Sequence, residues 1–271
     1  HAVHVRGFID WFAIDLVRGD VLPAEVIDHD VHDIGLGCRH LPSSCLSACT
    51  PFGRPLVLVL LFPGRLGLVI EGGEGAGKTT QIAALTDHLR ATGATVTVTR
   101  EPGGTPDAEA IRALLVSGEA GRWDPLAETL LHLAARRQHL QRLIRPALDR
   151  GEWVLCDRFL DSTRAYQGAA QGVAPAVIEH LAAPVMEGLE PGLTLILDLP
   201  PEAGLARAAA RGDTGRYERW PLAHHQAIRQ AFLDIGAGEP QRCQVIDAQQ
   251  SPEAVATAVW QAVQQRFPEA A

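Results

Sequence analysis

The residues with the clearest chemical meaning form one short motif, a phosphate-binding P-loop. Residues 72–79 read Gly-Gly-Glu-Gly-Ala-Gly-Lys-Thr and fit the pattern G-x-x-x-x-G-K-[ST]. The glycines let backbone N–H groups turn inward around a phosphate, Lys78 reaches the outer phosphates, and the Thr79 hydroxyl is placed to bind Mg²⁺. The expected phosphate-binding residues are Gly72, Gly73, Glu74, Gly75, Ala76, Gly77, Lys78, Thr79 and Thr80.

Lys78 is also the only lysine in the chain. The other 23 of the 24 basic residues are arginine. A P-loop needs a compact ammonium on a flexible stem, and a planar guanidinium does not replace it equally well. Keeping one lysine at this position favours a working P-loop over a chance glycine-rich turn.

A P-loop needs a strand before it and a helix after it, and both are predicted here. Further along the chain, apolar strand-like runs alternate with amphipathic helical stretches, which predicts an α/β fold with a parallel sheet. The predicted strands are 66–70, 95–99, 153–157, 193–199 and 244–247, and the predicted helices are 80–91, 108–116, 127–149, 175–187, 201–211, 222–235 and 252–267.

Ligands bind such sheets at the carboxyl ends of the strands, so the residues that follow each strand are the next candidates. Residues 100–105, Arg-Glu-Pro-Gly-Gly-Thr, form a turn with two charges at its start. After the third strand, Asp157 can hold Mg²⁺ through water, and Arg158 can bridge phosphates with its fork of donors. A plain turn and a surface ion pair are the alternative interpretations of these two segments.

Two arginine groups remain. Spacing places His132 and Arg136 on one face of the predicted 127–149 helix, although an exposed basic edge would look the same. Residues 207–219, which we call the lid segment, carry several arginines on a helix end and a glycine-interrupted loop. This segment is suited either to close over bound phosphates or to serve as a solvated linker.

Composition narrows the class of protein. The chain has 271 residues, of which 46% are hydrophobic and 21% charged, and this is typical of a soluble globular protein. A net charge of −8 leaves no broad electrostatic footprint for nucleic acid. The longest apolar run, 56–62, is too short to span a bilayer. Cys156 and Cys243 lie in apolar runs and are most simply buried free thiols of a cytoplasmic protein.

These segments together resemble bacterial thymidylate kinases. The resemblance rests on residues 70–80, 100–105, 134–136 and 157–168 and on the lid segment, which occur in the family's order. It implies a P-loop NTPase-type parallel sheet flanked by helices, with a short arginine-rich lid. It also implies an ATP- and Mg²⁺-dependent kinase that converts thymidine monophosphate (dTMP) to the diphosphate for dTTP synthesis, working as a cytoplasmic homodimer without nucleic-acid or membrane partners.

The resemblance also assigns roles to residues of the acceptor site. Arg100 and Arg158 are expected to orient the acceptor phosphate, and Arg136 to donate to a thymine carbonyl. His132 stands where the family usually has an aromatic residue against the base, which affects base affinity rather than the type of reaction. The expected substrate-binding residues are Glu74, Arg100, His132, Arg136, Arg158, Ser162, Thr163, Tyr166 and Gln167.

The remaining expectations concern catalysis, metal and domain limits. Thr79 and Asp157 are the expected Mg²⁺ ligands. The expected catalytic residues are Lys78, Arg158, Arg216 and Arg211. Because the P-loop contains no arginine, the resemblance implies that the lid supplies one, and Arg216 is preferred, with Arg211 supporting, because Gly215 and Tyr217 flank it in a segment too broken for a rigid helix. Residues 65–271 are expected to form the kinase domain. Residues 1–64 show no sustained period and are interpreted as a poorly ordered extension or a stretch upstream of the true start.

Other classes of P-loop protein fit less well. A signalling GTPase reads guanine with an N-K-x-D-type element, but this chain has no asparagine and no second lysine. A non-catalytic interaction protein would have no reason to keep Lys78 and Thr79. A kinase acting on another nucleotide or on a nucleoside is the alternative that remains.

Overall fold

The computed structural model describes residues 65–212 and 215–268. The interpretation of residues 1–64 as an extension therefore lies outside the described residues. Residues 213 and 214, within the lid segment, lie outside them as well.

The core of the described chain is a five-stranded, all-parallel sheet, which confirms the predicted fold class. All five predicted strands are present. The spatial order is β2-β3-β1-β4-β5. The strands are β1 (Arg65–Gly72), β2 (Val96–Arg100), β3 (Trp153–Asp157), β4 (Glu190–Asp198) and β5 (Cys243–Asp247).

The strand order places a topological switch point beside the P-loop. β1 lies at the centre, with β3 on one side and β4 on the other, so the chain crosses over β1 between β3 and β4. Connections leave the carboxyl ends of β1 and β3 in opposite directions and open a crevice there. The residues after β1, β2 and β3 face this crevice.

Residues of β1 alternate between two apolar layers, one on each face of the sheet. Leu68 and Ile70 pack with the helices that follow β1 and β5, while Val69 packs on the opposite side. All three side chains are fully buried. A strand covered on both faces explains why its sequence is continuously apolar rather than alternating.

Helices cover both faces of the sheet, and none of those in the described ranges is long and apolar enough to span a membrane. Several begin with a capping side chain followed by proline, as at Thr105–Pro106, Asp124–Pro125 and Ser251–Pro252. The helices are α1 (Lys78–Ala91), α2 (Pro106–Val116), α3 (Pro125–His139), α4 (Arg145–Asp149), α5 (Leu160–Thr163), α6 (Pro175–Met186), α7 (Pro201–Ala210), α8 (Leu222–Gly238) and α9 (Pro252–Arg266).

The predicted 127–149 helix is present but is not uniform. It runs as α3, a wide π-helical turn at Leu140–Ile144, and α4. Pro146 in α4 has no N–H to donate, and its ring crowds the preceding turn, so a widened turn just before it is the expected accommodation.

The sequence pattern did not predict the helical turns that follow β3. α5 leads directly into a second wide turn at Arg164–Ala170. The carboxylate of the fully buried Glu71, at the end of β1, accepts hydrogen bonds from the backbone N–H groups of Phe159 (2.7 Å) and Ser162 (3.1 Å). The cap of this helix thus comes from another strand, 88 residues away from Phe159, and no local pattern could reveal it.

The P-loop lies directly against α7 through two glycines. A Cβ on Gly204 would stand 2.2 Å from the carbonyl oxygen of Glu74, and a Cβ on Gly75 would stand 2.0 Å from the carbonyl oxygen of Gly204. Contacts this short leave no room for a side chain on either residue. The shape of the P-loop therefore depends on glycine at position 204, far outside the motif.

We predict that Gly204→Ala lowers the free energy of unfolding by about 1–3 kcal/mol, because the added methyl group must displace the P-loop backbone. Gly238→Ala is the matched control, since that helical glycine has open space around it and should show equal or slightly higher stability. Urea unfolding of both variants measures the difference. Equal stability of the two variants would contradict the close contact.

Candidate active site

The P-loop turns from β1 into α1, with Lys78 as the first residue of the helix. Nζ of Lys78 donates to the carbonyl oxygens of Gly72 (3.1 Å) and Gly73 (2.9 Å), so the ammonium is folded back over the loop. Burial and the charge of Arg158 lower the pKa of Lys78, against the opposing pull of nearby carboxylates such as Glu74. The only lysine of the chain is thus held where phosphates would enter.

Arg158 follows β3 and reaches across to the P-loop. Its backbone is left-handed, with φ of 70°. Its Nη1 donates to the Gly72 carbonyl (3.1 Å) and to Oγ of Ser162 (3.2 Å), and its Nη2 donates to Oε1 of Glu74 (2.9 Å). Tyr166 donates to the same Glu74 oxygen at 2.7 Å. These contacts join β3, the P-loop and the turn after α5.

The charge states of Glu74 and Arg158 are set by the charged residues around them. Burial alone would raise the pKa of Glu74, but Arg158 and Lys78 lower it to about 2. Burial alone would lower the pKa of Arg158, but Tyr166 and carboxylates including Glu74 raise it above its usual range. Glu74 therefore remains a carboxylate and Arg158 a cation throughout the physiological pH range.

A second buried ion pair lies between the end of β2 and α3. Nε of Arg136 donates to Oε2 of Glu101 at 2.7 Å, and Nη2 of Arg136 donates to Oγ1 of Thr163 at 3.1 Å. Oε1 of Glu101 contacts Nδ1 of the fully buried His139 at 3.1 Å, and Nε2 of His139 contacts Thr99 at 2.6 Å. Nη1 of Arg136 is buried without a hydrogen-bond partner among the described residues, which leaves one strong donor for a ligand.

A cavity of about 230 Å³ opens between the two ion pairs. Eight of the nine expected substrate-binding residues line it, namely Glu74, His132, Arg136, Arg158, Ser162, Thr163, Tyr166 and Gln167. Arg112 also lines it, and sequence analysis did not select that residue. The structure thus brings together segments from four separate parts of the chain.

The ninth residue, Arg100, is not among the residues that line the cavity. Its side chain is 54% exposed and pairs with Glu109 at 3.1 Å on the surface. Its neighbour Glu101 turns inward instead. The expected role of Arg100 at the acceptor phosphate stays a prediction, and this arrangement gives it no direct support.

A buried carboxylate that sequence analysis missed binds three of the residues that line the cavity. Glu128 is fully buried and accepts hydrogen bonds from Tyr217 Oη (3.0 Å) and Gln167 Nε2 (3.0 Å) and from Nη2 of Arg216. Glu128, His132 and Arg136 are spaced four residues apart on α3, so extending the His132–Arg136 face by one turn would have identified it.

Arg216 is held by this carboxylate rather than by the P-loop. Besides its ion pair with Glu128, its Nε donates to the carbonyl of Glu119 (3.2 Å) and its Nη1 to the carbonyl of Leu115 (3.1 Å). The side chain is almost fully buried. The expected role of Arg216 at the transferring phosphoryl group stays a prediction, and its three engaged nitrogens favour a structural role in this conformation.

His132 projects into the same cavity as a neutral ring. Its Nε2 lies 3.1 Å from the hydroxyl of Tyr217. Burial, followed by the charges of Arg136 and Arg158, lowers the pKa of His132 to about 3. A cationic imidazole is therefore absent from this wall at neutral pH.

The two expected metal ligands lie at the edge of the P-loop. Thr79 is the second residue of α1 and is exposed, and Asp157 ends β3. Oδ1 of Asp157 is buried and accepts no hydrogen bond from the described residues. An unpartnered carboxylate oxygen beside a P-loop fits a divalent cation, because such oxygens are costly to bury unless something binds them.

The parallel sheet, the P-loop at its switch point and the adjoining cavity define a P-loop nucleotide-binding protein with a second site for a small molecule. Comparison with known proteins identifies the family. The thymidylate kinase sequence model matches residues 70–259. The chain belongs to the thymidylate kinase family.

Curated relatives and a solved structure agree with this. A thymidylate kinase from Caulobacter vibrioides is 57% identical over 197 residues, covering 73% of this chain and 95% of the relative. One from Deinococcus radiodurans is 48% identical over 201 residues, covering 74% and 97%. The crystal structure of thymidylate kinase from Ehrlichia chaffeensis matches with a TM-score of 0.62 and 32% identity, covering 74% of this chain and all of that one.

We predict that the Glu74–Arg158 pair stabilises the fold only above acidic pH. A carboxyl with a pKa lowered from 4.5 to about 2 contributes its full stabilisation above pH 4.5 and loses it as the pH falls toward 2. The contribution is on the order of 3 kcal/mol. Urea unfolding of the parent and of Glu74→Gln between pH 3 and 7 should therefore show a stability difference that narrows below about pH 4.5. A difference that is the same at pH 3 and pH 7 would refute the pairing.

Proposed function

We propose that this chain transfers the γ-phosphoryl group of ATP to dTMP, giving the diphosphate needed for dTTP synthesis. The observation that carries the proposal is the cavity beside the P-loop, in which Arg158 and Arg136 come from different elements. Arg158 is bonded to Gly72 and Glu74 of the P-loop, whereas Arg136 belongs to α3 and is bonded to Glu101 after β2. This separation suits an acceptor that has a phosphate at one end and a base at the other.

The donor side of the reaction uses the P-loop. Its backbone N–H groups and the start of α1 favour negative charge, as helix N-termini do. The ammonium of Lys78 is held by two carbonyl oxygens of the loop, so it is positioned to exchange these contacts for phosphate oxygens when nucleotide binds. These groups hold the donor phosphates in line with the acceptor, and in-line positioning is the main requirement of phosphoryl transfer.

The acceptor side is organised by two ion pairs, the partly buried Glu74–Arg158 pair and the buried Glu101–Arg136 pair. Glu74 and Ser162 orient the guanidinium of Arg158 beside the P-loop, where it can hold the acceptor phosphate and spread positive charge over the transferring group. Glu101 and Thr163 fix Arg136 with Nη1 unpaired, which suits a carbonyl oxygen of thymine. Tyr166 and Gln167 complete the cavity between them.

Asp157 and Thr79 are the residues that would hold Mg²⁺ with the nucleotide phosphates. The described residues contain no cluster of three or more His, Cys, Asp or Glu that could bind a metal by itself. This fits Mg²⁺, which binds through one or two protein oxygens together with phosphates and water. When bound, the ion neutralises charge on the phosphate oxygens.

Assembly and location complete the proposal. Leu114 of α2, Leu126 and Leu130 of α3 and Val177 of α6 are large apolar side chains that are at least 40% exposed. Such exposure supports the homodimer that the family resemblance implies.

Cys156 and Cys243 are free and buried, which supports a cytoplasmic location.

A coupled assay with ATP and a panel of nucleoside monophosphates tests the proposed activity. We expect dTMP to be the best acceptor, ahead of the deoxyuridine analogue by about 10- to 200-fold, because the C5 methyl group adds only apolar contact. Lys78→Ala is the matched control: it should keep the fold, measured by circular dichroism, and lose turnover. Equal or better turnover of adenosine or guanosine monophosphate would overturn the proposal.

The lid arginines can be separated by substitution. We propose that one of the two lid arginines, Arg211 at the end of α7 or Arg216, supplies the cation at the transferring group, and we test Arg211 first because Glu128 binds Arg216 in this conformation. Arg211→Ala should lower kcat roughly 100-fold and change the KM for dTMP less than threefold. Arg219→Ala, in the same segment, is the control. A kcat of Arg211→Ala within threefold of the parent would return this role to Arg216.

A further inference from the structure

The hydroxyl of Tyr217 connects the lid segment to the wall of the acceptor cavity. It donates to Oε1 of Glu128 at 3.0 Å and lies 3.1 Å from Nε2 of His132. Tyr217 and His132 are 85 residues apart in sequence. Both residues line the cavity, so the hydrogen bond between them forms part of its wall.

The directions of the two hydrogen bonds made by the Tyr217 hydroxyl follow from counting the available protons. A tyrosine hydroxyl has one proton to give, and the carboxylate of Glu128 can only accept. Burial, together with the charge of Glu128, raises the pKa of Tyr217, so that proton stays on the hydroxyl. The hydroxyl oxygen must then accept from Nε2–H of His132. This assigns the Nε2–H tautomer to His132 and makes its Nδ1 a hydrogen-bond acceptor.

Burial and the charges around the imidazole of His132 lower its pKa and so keep the ring neutral. Four arginines contribute positive potential at His132, namely Arg136, Arg158, Arg216 and Arg112, and burial adds to their effect. Facing them are the carboxylate of Glu128, already paired with Arg216, and the neutral hydroxyl of Tyr217. The contact between Tyr217 and His132 is therefore a neutral hydrogen bond, and the ring is held by geometry rather than by charge.

A second set of contacts, made by Arg216, also holds the lid segment at Glu128. Arg216, next to Tyr217, binds Glu128 and the carbonyl oxygens of Leu115 and Glu119. Glu128 thus holds two consecutive lid residues, while His132, one helical turn further along α3, donates to the hydroxyl oxygen of one of them. Moving this part of the lid would release the imidazole.

We propose that Tyr217 is a positioning residue of the acceptor site: its hydroxyl, fixed by Glu128, holds the imidazole of His132 in one orientation and one tautomer, so that the cavity wall is complete only with the lid in place. The inference rests on the proposed function in taking dTMP as the occupant of the cavity. It adds that binding of the acceptor depends on the position of the lid.

Tyr217→Phe tests this, because it keeps the aromatic ring and removes only the hydroxyl. We expect the KM for dTMP to rise roughly 10-fold, since Nε2–H of His132 loses its acceptor, while kcat and the KM for ATP change less than twofold. Arg219→Ala is the matched control. It removes another lid contact, the 2.7 Å hydrogen bond to the Gly118 carbonyl, without touching His132, and should leave the KM for dTMP unchanged.

A double-mutant cycle makes the test specific. In the His132→Phe background, Tyr217→Phe should have no further effect on the KM for dTMP, because the hydrogen bond is already gone. An equal rise in KM in both backgrounds would overturn the proposal, since the hydroxyl would then act through something other than His132. A kcat that falls together with the rise in KM would overturn it as well.

Nitrogen NMR of the ligand-free protein keeps this inference separate from the proposed function. The imidazole signals of His132, assigned by their loss in His132→Phe, should show the Nε2–H tautomer in the parent and a tautomer mixture in Tyr217→Phe. An Nδ1–H tautomer in the parent would refute the inference even if dTMP is the substrate. The Nε2–H tautomer in a parent that does not phosphorylate dTMP would uphold the hydrogen-bonded arrangement and reject the substrate.

Discussion

The cavity beside the P-loop depends on the ion pair between Glu101 and Arg136, which joins the carboxyl end of β2 to α3. Both side chains are at most 4% exposed. Removing one partner of such a pair leaves a buried charge unpaired, which typically lowers the free energy of unfolding by about 3–5 kcal/mol. Because Nε and Nη2 of Arg136 are committed to Glu101 and Thr163, the free Nη1 has a fixed direction. The pair thus holds two elements together and orients the donor that the ligand would meet.

Much of the fold and the phosphate-binding half of the site could be predicted from the sequence. Strands buried on both faces produce continuous apolar runs, and amphipathic helices produce a 3.6-residue period, so both signals are local. The P-loop is local as well, since its turn is made by neighbouring residues. Residues 157–168 could be placed in the site, although their helical turns could not be predicted, because the Glu71 cap that starts them comes from another strand.

The half of the cavity around Arg136 and Arg216 is built from pairings that the sequence does not display. Arg100 and Glu101 are consecutive residues that point to opposite sides of an extended chain, and only the fold decides which one is buried. Among the lid arginines the sequence favoured Arg216 for catalysis, but nothing local shows that Arg216 is bound by Glu128, 88 residues away. Buried polar groups find partners across the whole fold, so their roles become visible only in three dimensions.

The solitary lysine has a consequence for the chemistry of the whole molecule. Lys78 carries the only side-chain primary amine among these 271 residues. Burial and Arg158 lower its pKa, which increases the fraction present as the nucleophilic free amine at a given pH. Reagents that acylate amines usually modify many surface lysines, but here their target is a side chain of the nucleotide pocket. Acylation of a single amine would therefore report whether that pocket is filled.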